Sequence, residues 1–463
     1  MTWPALYNHY PLLYPDSVTY LADGRAVARA LFLHEFSNYY GIRSFFYSLG
    51  ILPFHWNVTP WPIVALHALL TAYVIWLVVR SVLPRQTISR YLVLVVLLSL
   101  LTSGSCFVSL VMPDVLGPVL YLCIYLLVFA RETLSFIERL TLVLIAWWAV
   151  ASHNTHMILA GGMCVLLALV WILWNQLMQH RLKAVFQVAT IALFAAGAQV
   201  ALHTFLYGEP SLTGENPPFL MARVIADGPG RWYLQQHCWE VNLAVCDYVY
   251  DLPDSSDAFL WREGSIWQSA TDDTAERLRR EEILFVFATL RAYPCEQLRK
   301  SAANSWRQMR SFGLGYLNEN DWVLEAFDSA LPERRSSYLN SLQAQSALPL
   351  PFFTLVQRWT VIVSLLVLGV LIPLMWHQKR TRLLGLSVAI VPTAIANAFV
   401  TGALSNVEDR YQSRIIWLLP LLAGILVFYW FDRGRNTTWA SRKRPTELGL
   451  HPESSAIQSC FVR

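Results

Sequence analysis

Two aspartates stand in short polar stretches between apolar runs of the chain. Asp16 lies in Tyr14-Pro15-Asp16-Ser17, and Asp114 follows Met112-Pro113. A carboxylate in a turn that another molecule can approach could remove a proton from a hydroxyl or an amine, or bind a metal ion. The same residue types are common as turn residues and helix caps. The pattern alone therefore leaves a catalytic and a structural interpretation open.

Two histidines, His153 and His156, occupy a third polar stretch of this kind. They are three residues apart, so their side chains could share one helical face. Together with Asp16 and Asp114 they could bind a divalent cation, and the predicted metal ligands are Asp16, Asp114 and His156. Ordinary hydrogen bonding at a membrane interface is the alternative. The sequence indicates no cofactor other than this metal ion.

Arginines supply the complementary charge. Arg43 opens an Arg-Ser-Phe-Phe-Tyr stretch, and Arg410 stands directly before Tyr411. A guanidinium group can bind a phosphate through two parallel hydrogen bonds, which makes both arginines candidates for a phosphate site. An internal ion pair is the alternative, particularly for Arg410, which follows two acidic residues.

The elements that must position these residues are apolar. The chain of 463 residues is 55% hydrophobic and only 14% charged, a composition that excludes an ordinary soluble domain. Nine apolar runs are of about the length that crosses a hydrocarbon layer of about 30 Å as a helix, and none shows the alternation of a barrel strand. We therefore predict an all-α polytopic membrane protein with about nine transmembrane helices. The predicted spans are residues 61–80, 91–111, 115–130, 139–156, 157–175, 184–205, 356–376, 383–402 and 413–431.

Polar stretches divide the chain into five predicted regions. They are an N-terminal loop with an interfacial helix (1–60), transmembrane helices 1–6 (61–205), a periplasmic insert (206–355), transmembrane helices 7–9 (356–431) and a basic tail (432–463). The interfacial helix is predicted over residues 25–40, where apolar side chains recur on one face. The insert is predicted to be mainly helical, with helices over residues 274–310, broken near Pro294, and over residues 319–346.

Basic residues predict the orientation of the chain. They follow alternate spans, whereas the loops around residues 106–114 and 152–156 contain neither lysine nor arginine. The positive-inside rule then places the tail in the cytoplasm, and the first 60 residues, the insert and the loop at 403–412 on the exported side. This localisation is typical of a multi-pass protein of the bacterial inner membrane.

An exported N-terminal loop of 60 residues needs a way across the membrane, and residues 1–14 are too short and too polar for a signal peptide. We expect a further span encoded upstream of Met1. Direct translocation of the N-terminal tail is the alternative.

The chain has seven cysteines, and three of them, Cys238, Cys246 and Cys295, lie in the insert. An oxidising compartment would permit a Cys238–Cys246 disulfide. Free or structural thiols remain the alternative, and no cysteine pair has the spacing of a zinc site.

Taken in chain order, these residues resemble the GT-C superfamily of membrane glycosyltransferases, which includes protein O-mannosyltransferases and bacterial lipid A sugar transferases. Asp16 stands early in the first exported loop, and Arg43 begins the aromatic stretch that leads into a span. Asp114 stands in a second exported turn, and Arg410-Tyr411 precedes the Leu-Leu-Pro-Leu-Leu stretch of the last span. The sequence departs from the family where Ser17, and not glutamate, follows Asp16, and where the insert interrupts the membrane helices.

The resemblance implies transfer of a sugar from a polyprenyl-phosphate donor to a lipid, glycan or protein acceptor on the exported face. Asp16 would be the general base or would orient the acceptor, and Asp114, with His153, would assist it or bind a metal. Arg43, Arg410 and the neighbouring Tyr411 would bind the donor phosphate.

Two other classes of function remain open from the sequence. A transporter or flippase could use Asp114 and His156 as proton-coupled groups, although transporters usually bind their substrate near the midplane of the membrane. A non-catalytic protein of envelope assembly could use the insert to bind a partner. Nothing in the composition indicates a nucleic-acid partner.

Overall fold

The computed structural model describes residues 1–36, 43–83, 87–174, 181–318, 323, 324, 327 and 330–442, with the backbone alone for 433–442. Every regular element among these residues is helical, and one isolated parallel bridge joins Leu12 to Leu110. The predicted all-α fold class is confirmed.

Before the insert, the described chain forms ten α-helices. They are α1 (Trp3–Tyr7), α2 (Pro15–Leu33), α3 (Phe45–His55), α4 (Trp61–Val82), α5 (Thr87–Leu101), α6 (Gly104–Ser109), α7 (Leu116–Phe129), α8 (Phe136–Ala151), α9 (Asn154–Leu173) and α10 (Leu182–Tyr207). Short 3-10 turns at Pro113–Val115 and Arg131–Thr133 precede and follow α7.

The insert and the final region contain eleven more described α-helices. Those of the insert are α11 (Phe219–Asp227), α12 (Pro229–His237), α13 (Ser256–Leu260), α14 (Ile266–Ser269), α15 (Asp272–Ala292), α16 (Pro294–Arg310) and α17 (Arg335–Leu339). The last four are α18 (Leu350–His377), α19 (Thr381–Leu404), α20 (Asp409–Ile416) and α21 (Leu418–Arg442). Further 3-10 turns are Ala244–Tyr248, Gly315–Asn318 and Pro332–Arg334.

Six helical segments are long and apolar enough to cross a membrane, so the predicted count of nine is not confirmed. They are α4, α9, α10, α18, α19 and the segment Asp409–Asp432, which combines α20 with most of α21. The predicted span 91–111 is broken between α5, which ends at Leu101, and α6, which begins at Gly104. The predicted spans 115–130 and 139–156 correspond to α7, of 14 residues, and α8, of 16.

The predicted interfacial helix needs correction at its start. The interfacial helix begins at Pro15, ten residues before the predicted start, and α2 ends at Leu33. Proline is well suited to a first helical position, and the Ser17 hydroxyl accepts the Tyr14 N–H, which fixes the start. Residues 37–40 of the predicted helix lie outside the described residues, as do parts of the predicted helices at 319–346. The predicted break near Pro294 is confirmed by the boundary between α15 and α16.

Helix α7 lies at the centre of the membrane part. All 14 of its residues are buried. It packs against α4, α8 and α19, and its apolar side chains belong to one large core that also takes in α2, α18 and α21. Burial on every side explains why this helix is apolar all round rather than on one stripe.

The insert is divided between two cores. Residues 221–285 form a core of their own, in which Cys238 and Cys246 are joined by a disulfide, as expected for an oxidising compartment. The described residues between 314 and 350 instead join the membrane core and contact the N-terminal region. There Gln343 is a central link: its side chain accepts the N–H of Leu13, donates to the carbonyl of Leu13 and donates to that of Leu317.

Candidate functional site

Asp16 and Asp114 are brought together by two similar segments. Leu12 to Asp16 and Leu110 to Asp114 both have the pattern Leu-x-x-Pro-Asp. The segments run parallel at their first residues, where the Leu12 N–H donates to the carbonyl of Ser109 (2.9 Å) and the Val111 N–H donates to that of Leu12 (3.0 Å). Each aspartate therefore lies four residues beyond the same bridge, in the first turn of a helical segment.

Three arginines surround the two carboxylates. Arg43 Nη2 donates to Asp16 Oδ1 at 2.7 Å, and Arg414 Nη1 donates to Asp114 Oδ1 at 3.2 Å. Arg410 lies between them, with Nη1 at 3.5 Å from Asp16 Oδ2 and 3.9 Å from Asp114 Oδ2. The structure thus joins four sequence segments in one ion-pair network, which we call the acid–arginine cluster: Asp16, Arg43, Asp114, Arg410 and Arg414.

Exposure increases across this cluster from one end to the other. The side chains of Arg414 and Asp114 are 0% and 1% exposed, whereas those of Asp16 and Arg43 are 14% and 24% exposed. A substrate could therefore contact Asp16 and Arg43 directly. Asp114 is in a position to hold the arginines and not to meet a reactant.

Aromatic rings fix the orientation of Arg410. Its guanidinium carbon lies 4.1 Å from the ring centroid of Tyr14 and 5.3 Å from that of Tyr411. Such cation–π contacts stabilise a desolvated guanidinium. Tyr14 is the residue before Pro15 and Tyr411 follows Arg410, so the same short segments supply both the charges and the rings.

The second arginine of this helix is held by an amide. Arg414 Nη2 donates to Asn397 Oδ1 at 3.1 Å, and Asn397 Nδ2 donates to the carbonyl of Tyr411 at 2.7 Å. The Nε atoms of Arg410 and Arg414 and the Nε1 atom of Trp417 are buried donors that have no hydrogen-bond partner in the described structure. Buried donors of this kind are rare without a role, and an anion is a chemically suitable partner for them.

The two histidines lie beside the cluster with their rings 5.1 Å apart. His153 caps α9, where its Nδ1 accepts the N–H of Thr155 at 3.1 Å, and His156 Nδ1 contacts the carbonyl of Ala149 at 2.8 Å. Burial, followed by the charge of the neighbouring His156 and then those of nearby arginines, holds the pKa of His153 well below its usual value of 6.5. Among the described residues no three His, Cys, Asp or Glu side chains come together as metal ligands, so the predicted set of Asp16, Asp114 and His156 is not assembled here.

The insert covers the accessible end of the acid–arginine cluster. The guanidinium carbon of Arg43 lies 5.7 Å from the ring centroid of Trp261, in the insert. Nearby, Asn406 Nδ2 donates to Asp257 Oδ2 at 2.6 Å and so ties the loop before α20 to α13. Removing the insert would expose Arg43 and the carboxylate that it holds.

Sequence reasoning singled out Asp16, Arg43, Asp114 and Arg410 but missed the role of Arg414. A signal was present, because Arg410 and Arg414 are four residues apart and so share one helical face. The contribution of Trp261 had no signal in the sequence, since its partner Arg43 lies more than 200 positions away. The repeated Leu-x-x-Pro-Asp pattern could have been noticed as well.

No protein family matches the chain, and neither a curated protein nor a solved structure is detectably similar to it. The geometry of the acid–arginine cluster must therefore carry the functional argument.

Proposed function

We propose that the chain is an integral membrane glycosyltransferase that transfers a sugar from a polyprenyl-phosphate donor to a lipid, glycan or protein acceptor on the exported face of the membrane. The observation that carries this proposal is the meeting of Asp16 and Asp114 with Arg43, Arg410 and Arg414 in one network beside the spanning helices. Six helices of membrane-crossing length support a multi-pass protein that can admit a lipid-linked substrate.

The charge balance of the cluster favours a phosphate ligand. The cluster contains three guanidinium groups and two carboxylates, so its net charge is +1. A phosphate or a diphosphate bridge could take up that excess and accept hydrogen bonds from the unpaired donors of Arg410. A donor linked to a lipid fits the exported side, since nucleotide sugars are absent there.

The acceptor would approach along α2. Asp16 stands at the start of this helix, and a cavity of about 840 Å³ lies farther along it, lined in part by Ala22, Arg25, Arg29 and Arg334 but by no residue of the acid–arginine cluster. This volume is within the range of small-molecule sites.

The chemistry then follows from the roles of the two carboxylates. The acceptor oxygen forms a bond to the anomeric carbon of the sugar, and the bond from that carbon to the phosphate oxygen breaks, leaving the electron pair on the phosphate. Asp16 takes the proton of the acceptor hydroxyl, while Arg43 and Arg410 stabilise the negative charge of the leaving phosphate. Asp114 positions Arg410 and Arg414. A divalent metal ion would need ligands beyond the three predicted.

Two substitutions test the proposal in purified protein in lipid nanodiscs and in cells that lack the native copy. Asp16→Asn should keep expression but lower sugar transfer by a factor of about 10² to 10⁴, because an amide cannot take the proton. Arg410→Ala should lower transfer in part and raise the donor concentration that half-saturates it. Asp254→Asn, at a carboxylate that is 95% exposed and outside the cluster, is the matched control and should leave transfer unchanged.

Three results would contradict the glycosyltransferase assignment. Full complementation by Asp16→Asn would make Asp16 a helix-terminal residue only. Gradient-driven uptake into proteoliposomes, with no donor turnover, would indicate a transporter. Neither donor turnover nor uptake, with the envelope defect reproduced by deleting the insert, would indicate an assembly protein.

A further inference from the structure

Helices α15 and α16 follow one another with only Tyr293 between them, and α16 packs onto the membrane-spanning helix α19. We call the two helices together the α15–α16 segment. A Cβ atom at Gly402, near the end of α19, would lie only 2.8 Å from the carbonyl oxygen of Asn304. Ser305 Oγ is 3.5 Å from the carbonyl oxygen of Phe399, and Gln308 Nε2 donates to the carbonyl of Glu408 at 2.7 Å. Helix α16 therefore runs beside the last turns of α19, at the level where that helix leaves the membrane.

Each helix of the α15–α16 segment exposes large apolar side chains. They are Ile283 (49%), Leu284 (70%), Phe287 (67%), Leu298 (65%) and Trp306 (55%). On α15 these residues follow a polar first half, in which Glu276 and Arg280 occupy the same face of the helix. Helix α15 thus changes from polar to apolar as it approaches α16.

These apolar side chains adjoin a surface that lipid covers. Phe399 is 56% exposed and Ile395 is 51% exposed on α19, as expected for side chains of a spanning helix that face lipid. Ser305 contacts the backbone of Phe399, and Trp306 is its neighbour in α16. An exposed apolar patch that adjoins lipid-facing side chains is typical of a membrane contact and not of a face in water.

The charge of the same segment favours an anionic surface. The α15–α16 segment has eight basic and six acidic side chains, a net charge of +2, and the basic excess is concentrated in residues 291–310, where five basic side chains accompany one acidic side chain, Glu296. The guanidinium carbon of Arg310 lies 4.7 Å from the ring centroid of Trp306. An aromatic ring paired with a basic group is suited to the headgroup layer, where one end of the pair is apolar and the other hydrated.

We infer that the α15–α16 segment lies on the membrane surface on the side of the insert, with its exposed apolar side chains among the headgroups of anionic lipids. This contact holds the insert at a fixed height above the bilayer. It does not depend on the reaction proposed above.

Spin labels on single cysteines test the inference. Leu284→Cys and Leu298→Cys place labels at exposed apolar positions of the α15–α16 segment. Tyr250→Cys, at a side chain that is 96% exposed outside this segment, is the control. The background keeps the Cys238–Cys246 disulfide and replaces the partly exposed or exposed thiols of Cys164 and Cys295, together with Cys460. All three label sites are at the surface, so the fold should tolerate the changes.

In nanodiscs of phosphatidylglycerol and phosphatidylcholine, the labels at positions 284 and 298 should be relaxed more by oxygen than by a water-soluble nickel chelate. The control label should show the reverse. Pure phosphatidylcholine should reduce this difference, because the anionic partner is removed. Nickel accessibility at Leu284 and Leu298 equal to that at Tyr250 would overturn the inference. Exclusion of both reagents would overturn it too, since it would indicate a protein partner.

Discussion

At the scale of single residues, the site combines a buried end with an accessible one. Asp114 and Arg414 are inaccessible to solvent, whereas Asp16 and Arg43 retain some exposure. Arg410 links the two ends through contacts to both carboxylates. A substitution at the buried end should therefore act mainly on folding, and one at the accessible end mainly on activity.

Asp114→Asn should reveal the cost of an uncompensated buried charge. The change leaves Arg414 without an ionised partner and weakens the hold on Arg410. Breaking a buried ion pair in this way commonly lowers the free energy of unfolding by about 3–5 kcal/mol. The midpoint of thermal unfolding in detergent should drop well below that of Asp16→Asn and of the Asp254→Asn control. Equal midpoints for the three variants would show that the pair of Asp114 and Arg414 contributes nothing to stability.

His153 should make stability depend on pH. Its folded-state pKa lies below its usual value, so the folded protein takes up this proton less readily than the unfolded chain. The contribution is fully present above about pH 6.5 and is lost as the pH falls below that value. His153→Asn keeps a side chain that can cap α9 but cannot titrate. The variant should lose less stability than the wild type between pH 7 and pH 5, and parallel losses would contradict this assignment.

At the scale of elements, the sequence predicted helices better than it predicted where they begin and break. The apolar runs of α4, α9 and α10 are long enough to be recognised, because hydrocarbon leaves a helix few alternatives. The break between Leu101 and Gly104 falls within an apolar run, so a hydropathy pattern does not record it. The start of α2 at Pro15 depends on local capping that competes with a turn of the same composition.

The candidate site divides in the same way. Asp16, Asp114, Arg43 and Arg410 could be chosen from their own neighbours in the sequence, because charged groups near spans are unusual. Their convergence could not, since it depends on a backbone bridge between segments that lie about a hundred residues apart.

The close contact between α16 and α19 should tolerate no side chain at Gly402. Gly402→Val would drive Cβ into the backbone of Asn304 and Ser305, and overpacking of this kind commonly costs about 1–3 kcal/mol. Hydrogen exchange over residues 272–310 should become faster. Gly369→Val is the control, because no atom lies within 4 Å of a Cβ atom at that position of α18. Unchanged exchange in Gly402→Val would mean that the two helices are free to separate.

At the scale of the whole molecule, contacts between distant regions limit the topology. The N-terminal region touches the insert through Leu13 with Gln343 and through Asn57 with Ala330, so both must lie on the same side of the membrane. The chain between them must then cross an even number of times. Only three of its described helices, α4, α9 and α10, have the length to cross unaided. The shorter segments are α5 with α6, α7, and α8, and either one or all three of them must cross as well.

We expect all three of these segments to cross. The 14 residues of α7 rise only about 21 Å, but protein surrounds this helix, and a buried helix need not match the lipid thickness. Reporter fusions at residues 112, 132 and 153 should therefore give alternating signals. Fusions at residues 270 and 445 should give opposite signals, because α18, α19 and the final span lie between them. Identical signals at 112 and 132 would exclude a crossing by α7.

The backbone bridge between Leu12 and Leu110 is a common fixed point for the two segments that carry Asp16 and Asp114. The two segments have the same length, because each aspartate follows its bridge residue by four positions. A proline directly before each aspartate restricts the backbone there. If α2 tilts to admit an acceptor, this bridge is the fixed point of the movement. The distance between the two carboxylates then changes far less than the distance from α2 to the insert. The site can thus open while the distance between its two carboxylates is kept.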